Sequence, residues 1–188
     1  MKKFNLSDIL KPVIVLTAIC LVTSALLAYT NNLTAPKIEE NNIKTANEAK
    51  AIVLSEAKEF EDLNEKGISY SVGKDANGEI IGYVFSTSAK GYGGDVKIMV
   101  GVDTEGKVTG VKTLELSETP GLGMNAEKTD WLKQFVGKVT GIVVNKNDPG
   151  ENEIKALTGA TITSKAVTAA VNTALENYET VTGGADNG

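Results

Sequence analysis

The side chains best placed to do chemistry are the hydroxyls of residues 157–164, LTGATITS, where Thr158, Thr161, Thr163 and Ser164 crowd around Gly159 and Ala160. Two small residues let a ligand approach the backbone, and the stretch that follows has helical periodicity, so its first amide groups lack partners of their own. Hydroxyls at a helix N-terminus make a site of the kind that holds phosphate. The same pattern fits a solvated capping loop with Thr163 or Ser164 as the cap, and these residues alone leave both readings open. A second loop, SETPGLG at 117–123, sets Glu118 and Thr119 beside Pro120-Gly121, a strong type II turn signal that by itself predicts only a turn. A third glycine-rich loop, GYGG at 91–94, reads more simply as a bland strand connection than as a ligand contact.

Composition removes most other chemistry. The chain has 188 residues, no histidine and one cysteine, Cys20. A Ser-His-Asp triad, a Cys-His pair and a histidine-ligated zinc or haem are excluded, and so are an internal disulfide and a chain-borne iron–sulfur cluster. No catalytic residue and no metal ligand set is expected, and redox chemistry would need an organic cofactor. The basic residues are all lysine, the net charge is -5 and the pI is about 4.9, with no basic stripe, so a nucleic-acid partner is not expected.

The elements that must position these loops follow from periodicity. Val167, Ala170, Val171, Ala174, Leu175 and Tyr178 form one helical stripe directly after LTGATITS. Two β-hairpins are expected, around Asn77-Gly78 and around Glu105-Gly106, with Val96, Ile98, Val100 and Val102 alternating into one core. A short helix is expected near Trp131, then a strand at 141–144. Ala46, Ala49, Val53, Ala57 and Phe60 recur at spacings of three and four, which predicts an amphipathic helix up to Gly67. The sum is an α+β domain.

Residues 12–32 carry no charge, and Pro12 to Tyr29 alone would span ~27 Å as a helix, enough to cross a bilayer. Lys2, Lys3 and Lys11 precede this run against a single Asp8, while Glu39 and Glu40 follow it, which predicts a cytoplasmic N-terminus and an extracytoplasmic main domain. A cleaved signal peptide competes, but the apolar run is long for one and Ala25 to Thr30 offers a mediocre cleavage site. Cys20 follows Ile19, where a lipoprotein cleavage box expects a small residue, so a buried thiol is the simpler reading. The expected divisions are a cytoplasmic N-terminus at 1–11, a transmembrane helix at 12–34 ending at Ala35-Pro36, an amphipathic connecting helix at 35–67, the site-bearing domain at 68–181, and a disordered tail at 182–188.

Thr158-Gly159-Ala160-Thr161 matches the Ser/Thr-Gly-Ala-Thr motif of FMN-binding domains in which the flavin phosphate is joined to threonine. Together with the 117–123 loop, Trp131, Phe135 and Gly137 in family order, it makes the whole chain resemble the G subunits of Rnf-type ion-translocating ferredoxin:NAD oxidoreductases. It is also similar to the C subunits of sodium-translocating NADH:quinone reductases. The resemblance implies a fold with one membrane helix and an extracytoplasmic FMN-binding domain of antiparallel hairpins and flanking helices. It implies covalent FMN on Thr161 through a phosphoester, with Thr158, Gly159, Ala160 and Ser164 around the phosphate and Glu118, Thr119, Leu122 and Gly123 along the flavin. The implied activity is electron carriage within a membrane complex, not catalysis alone. The implied partners are the other membrane and peripheral subunits, and a flavin transferase during maturation. One departure stands out: Lys155 occupies a place, six before Thr161, that is often acidic in this superfamily. The competing readings are the quinone-reductase subunit, a self-standing extracytoplasmic flavin reductase, and a membrane-tethered adhesion or binding module without flavin.

Overall fold

In the computed structural model residues 6–183 are described, and the chain divides into two units, Met1–Lys44 and Thr45–Gly188. Lys2, Lys3 and residues 184–188 of the expected tail lie outside the described residues. Thr182 ends the last helix and Gly183 caps it, so those two residues are not tail.

The first helix, α1, runs Leu6–Val53. Its N-terminal part contains the one segment among the described residues long and apolar enough to cross a membrane. The expected stop at Ala35-Pro36 is not observed, because both Pro12 and Pro36 lie inside the helix. A proline removes one amide donor and biases the preceding residue, but the alanine, glutamate and lysine residues beyond it are good helix formers and carry the helix onward. The expected helix up to Gly67 is also corrected: α1 stops at Val53, and Glu59–Glu65 is strand β1. Lys66 and Gly67 both have positive φ, 53° and 79°, which makes the tight two-residue turn that folds β1 onto β2 (Ile68–Lys74).

Strands β1, β2, β3 (Ile80–Lys90), β4 (Asp95–Asp103) and β5 (Val108–Leu116) form one antiparallel sheet in sequence order. Both expected hairpins are present in it. The Asp75 carboxylate closes the β2–β3 turn by accepting the Asn77 and Glu79 amides at 2.8 and 2.9 Å. Beyond the sheet come a 3-10 turn Gly123–Glu127, the one-turn helix α2 (Thr129–Leu132), a second 3-10 turn Lys133–Phe135, and two short strands. These strands, β6 (Val143–Asn145) and β7 (Glu153–Lys155), pair in parallel, an addition to the expected antiparallel set. Helix α3 (Thr161–Thr182) then lies across β3 and β4.

The sheet is covered on both faces. Val96, Ile98, Val100 and Val102 are fully buried with Val167, Ala170, Val171, Ala174 and Leu175 of α3 in the larger core, as their alternation requires. Removing each of these valine, isoleucine and leucine side chains from water contributes about 1.5–3 kcal/mol. A second cluster joins Ala49, Val53 and Leu54 to Val84 and Met99, with Ala46, Ala57 and Phe60 packed against it. The apolar residues that recur at helical spacing do meet, but through a helix, a turn and a strand. Gly101 and Gly110 are cross-strand partners, and a Cβ at Gly110 would sit 2.9 Å from the Val53 Cα, so the end of α1 rests directly on the sheet backbone.

Candidate functional site

The loop before α3 is held from three directions. Trp131 Nε1 donates to the Lys155 carbonyl at 2.8 Å, and the Lys155 amide donates to Gln134 Oε1 at 2.8 Å. Phe135 packs edge-on against Trp131 with ring centroids 5.5 Å apart. The Ala156 amide reaches the Asn145 carbonyl at 2.7 Å, tying the exit of β7 to β6. Position 155 therefore works here through its backbone, and its side chain is exposed.

Ser164 closes the loop from the helix side. Its hydroxyl accepts the Leu157 amide and donates to the Ala160 carbonyl, both at 2.9 Å, and the residue is fully buried. The helix starts at Thr161, not near Ser164, and its cap is Ala160, which makes no side-chain capping bond. The expectation of Ser164 or Thr163 as cap is corrected accordingly: both lie inside the first turn or at its end, where a hydroxyl can only bond backward. The amides of Thr161, Ile162 and Thr163 belong to the first turn and have no carbonyl of their own helix to meet, whereas the Ser164 amide reaches Ala160 at 3.0 Å.

The 117–123 loop packs against this turn. The Leu122 amide reaches the Thr119 carbonyl at 3.2 Å, which closes the turn around Pro120-Gly121. Glu118, only 9% exposed, accepts the Tyr92 amide on Oε1 at 2.7 Å and so ties this loop to the 91–94 loop. A Cβ at Gly123 would lie 2.7 Å from Glu118 Oε2 and 2.9 Å from Thr163 Oγ1, so no larger residue fits there without displacing them. Gly159 has φ +76°, and a Cβ there would also meet Leu122 at 3.0 Å.

These three loops enclose a cavity of about 540 Å³ lined by Tyr92, Glu118, Thr119, Leu122, Gly123, Gly159, Ala160, Thr161, Ile162 and Thr163. That volume lies within the ~300–1,000 Å³ usual for small-molecule and cofactor sites. Seven of the nine residues singled out from sequence line it. Thr158 is exposed and does not, and Ser164 does not because its hydroxyl is spent on closing the loop. Thr163, read as a possible cap, lines it too, as does Tyr92, so the reading of its 91–94 loop as a bland strand connection is corrected; Ile162 lines it without having been singled out. The signal for Tyr92 was an aromatic ring isolated among glycines, and for Ile162 an apolar residue off the buried stripe of its helix. Among the described residues no cluster of His, Cys, Asp or Glu is arranged to hold a metal ion.

The residues present fit a flavin mononucleotide: free amides and hydroxyls at a helix start suit its phosphate, and the apolar Tyr92, Leu122 and Ile162 suit a flat ring. The fold and the cavity thus define an FMN-binding-domain protein, and residues 91–176 match the family model for the FMN-binding domain while residues 1–49 match that for the RnfG N-terminal region. Its fold resembles that in a crystal structure of the C subunit of the Na(+)-translocating NADH-quinone reductase from Parabacteroides distasonis. The TM-score is 0.53 at 24% identity, over 65% of this chain and 76% of that one. In sequence it is 36% identical over 187 residues to the G subunit of the Na(+)-translocating ferredoxin:NAD(+) oxidoreductase complex of Acetobacterium woodii, covering 88% of this chain and 89% of that protein. It is 35% identical over 170 residues to the G subunit of the proton-translocating ferredoxin:NAD(+) oxidoreductase complex of Clostridium ljungdahlii, covering 90% and 91%. The chain belongs to this family, the G subunits of Rnf-type ion-translocating ferredoxin:NAD oxidoreductases.

Proposed function

We propose that this chain is an electron-carrying subunit of a membrane-bound, ion-translocating ferredoxin:NAD oxidoreductase, with FMN joined covalently to Thr161 through a phosphoester. The observation that carries this reading is the position of Thr161: it is the first residue of α3, half-buried, and it lines the cavity, whereas Thr158 does not. A phosphate on its oxygen would lie beside the unpartnered amides of the first turn, where the helix dipole stabilises negative charge by about 0.3–1 kcal/mol.

The flavin, when bound, supplies one- and two-electron redox chemistry; the protein's part is to hold, orient and shield it. Thr161 would hold the group through its hydroxyl oxygen, the hydroxyl proton being lost and AMP leaving when a flavin transferase delivers FMN from FAD. Gly159, Ala160 and Gly123 would leave room for it, with Glu118, Thr119, Leu122 and Tyr92 lining the cavity beside it. Thr161 acts as a tether and not as an acid or base. Lys155, exposed and anchored through its backbone, places a positive side chain near the attachment loop, which a phosphodiester tolerates electrostatically.

The N-terminal helix would anchor the chain as a single pass, with the lysines before it in the cytoplasm and the flavin domain outside. The partners would be the other membrane and peripheral subunits of the complex, held near by that anchor at high effective concentration. The related subunits are named for sodium in one organism and protons in another, and the apolar span of this chain carries no charge, so an ion path falls to those partners. The test is the mass of the native chain: a peptide spanning Thr161 should carry FMN less one water. A colourless chain of bare polypeptide mass, purified from cells that contain the transferase, contradicts the reading.

A further inference from the structure

A second cavity, of about 400 Å³, opens where α1 ends, and it shares no lining residue with the cavity described above. Its walls follow from the way the helix is seated on the sheet. The Val53 carbonyl accepts the Thr109 hydroxyl at 2.6 Å, and a Cβ at Gly101 would collide with that same carbonyl. Val53, Leu54 and Val136 give the groove an apolar side, and Val136 stands 50% exposed there. The other side carries Glu56 and Asp103. Asp103 uses Oδ1 to accept the Glu105 and Lys107 amides, both at 2.9 Å, and that one oxygen suffices to close the β4–β5 turn. Lys107, the one lysine among the described residues that line the groove, donates its ammonium to Glu105 at 2.7 Å and is neutralised by it. The groove therefore presents negative charge beside an apolar wall.

We propose that this groove docks a lysine side chain of a neighbouring subunit of the complex, its stem lying on Val53, Leu54 and Val136 and its ammonium meeting Glu56 and Asp103. The inference is independent of where the flavin is attached and rests on the chain working as one subunit among several. Charge complementarity selects the occupant. An anion would be repelled by the two carboxylates, and a wholly apolar side chain would strip water from them without offering a partner. A bare metal ion has no use for the apolar wall, and among the described residues no cluster of His, Cys, Asp or Glu is arranged to hold one. Lysine suits both sides, because its four-carbon stem buries along apolar surface while its compact ammonium pairs with carboxylates. The same occupant accounts for Val136, whose half-exposed side chain leaves water only when a partner covers it.

The experiment uses the tagged full chain in its native membrane, treated with a carbodiimide, which joins a carboxylate to an amine only where the two touch. Wild type should give an amide link between a peptide containing Glu56 or Asp103 and a lysine of another subunit. Glu56→Gln should lose the Glu56 link and, after mild solubilisation, release the other subunits several-fold more readily as salt is raised. Val136→Lys, which brings an ammonium of its own to the groove, should weaken their retention to a similar degree. Glu176→Gln, at an exposed position of α3 on the other face of the sheet, should match wild type. Glu56 and Val136 are both exposed, so each variant should keep the wild-type denaturant midpoint, which separates lost docking from lost folding. A Glu56→Gln chain that holds the other subunits as firmly as wild type overturns the proposal. So does a wild-type chain that gives no such link, or one whose Glu56 links to a second copy of itself. The mass of the Thr161 peptide, read on the same samples, keeps a failure of the flavin reading distinct from a failure of this one.

Discussion

Thr158 and Thr161 carry the same hydroxyl three residues apart, yet only Thr161 lines the cavity. Thr161→Ala should therefore abolish covalent flavin while Thr158→Ala retains it, read as in-gel flavin fluorescence of the denatured chain. Alanine is a good helix former, so the flavin-free Thr161→Ala chain should change in stability by less than about 0.7 kcal/mol in a denaturant melt. Gly123→Ala is the opposite case: a Cβ would press on Glu118 and Thr163, and overpacking of this kind costs about 1–3 kcal/mol. A denaturant midpoint unchanged from wild type would contradict that steric argument. Much of this site was legible as residue types, because glycine, alanine and threonine before a periodic helix define an approachable phosphate position. The roles of Ser164 and Thr163 were not legible. Which of two adjacent hydroxyls bonds backward depends on where the first turn starts, and that is set by Ala160 and the packing of the preceding loop.

At the scale of elements, α3 is held by a stripe that includes Leu175, 1% exposed in the larger core. Leu175→Ala should destabilise by about 2–5 kcal/mol, measured by chemical denaturation. The β1 strand is tied to α1 through Asp62, which is paired with Lys50 and bonded by the Ser71 hydroxyl. The Lys50 ammonium first, and then the Ser71 hydroxyl, hold the Asp62 carboxyl below the usual carboxylate range. A carboxyl with a lowered folded value contributes stability that is present above the ordinary carboxylate pKa and is lost as pH falls through the folded value. Asp62 is largely exposed, so this contribution stays within about 0–1 kcal/mol, and Asp62→Asn should flatten the acid limb of the stability profile by no more than that. The hairpins and α3 were readable because their periods of two and 3.6 are unbroken. β1 was not, since Ala57 and Phe60 fall in helical phase with Ala46 and Ala49, whereas the chain turns at Lys66 and Gly67 and pairs back on β2 as a strand. Nor was the parallel pairing of three-residue β6 and β7, which is too short to leave a pattern.

At the scale of the whole molecule, both hydrophobic clusters lie within the unit Thr45–Gly188. A fragment of residues 45–188 should fold, remain in solution and accept FMN from a flavin transferase, whereas the full chain should sediment with membranes. Recovery of the full chain in the soluble fraction at its full length would contradict the anchoring role of α1. Protease added to sealed cells stripped of their wall should remove the flavin domain and spare the N-terminus if the proposed orientation holds; complete protection would reverse it. The proposed electron-carrying role depends on one bond, that from Thr161 to the flavin phosphate, and the intact mass of the chain purified from its native membrane tests that bond most directly. The result expected is polypeptide plus one FMN less one water, with the increment on the peptide containing Thr161. A mass equal to the bare polypeptide, or the increment on a peptide lacking Thr161, contradicts it.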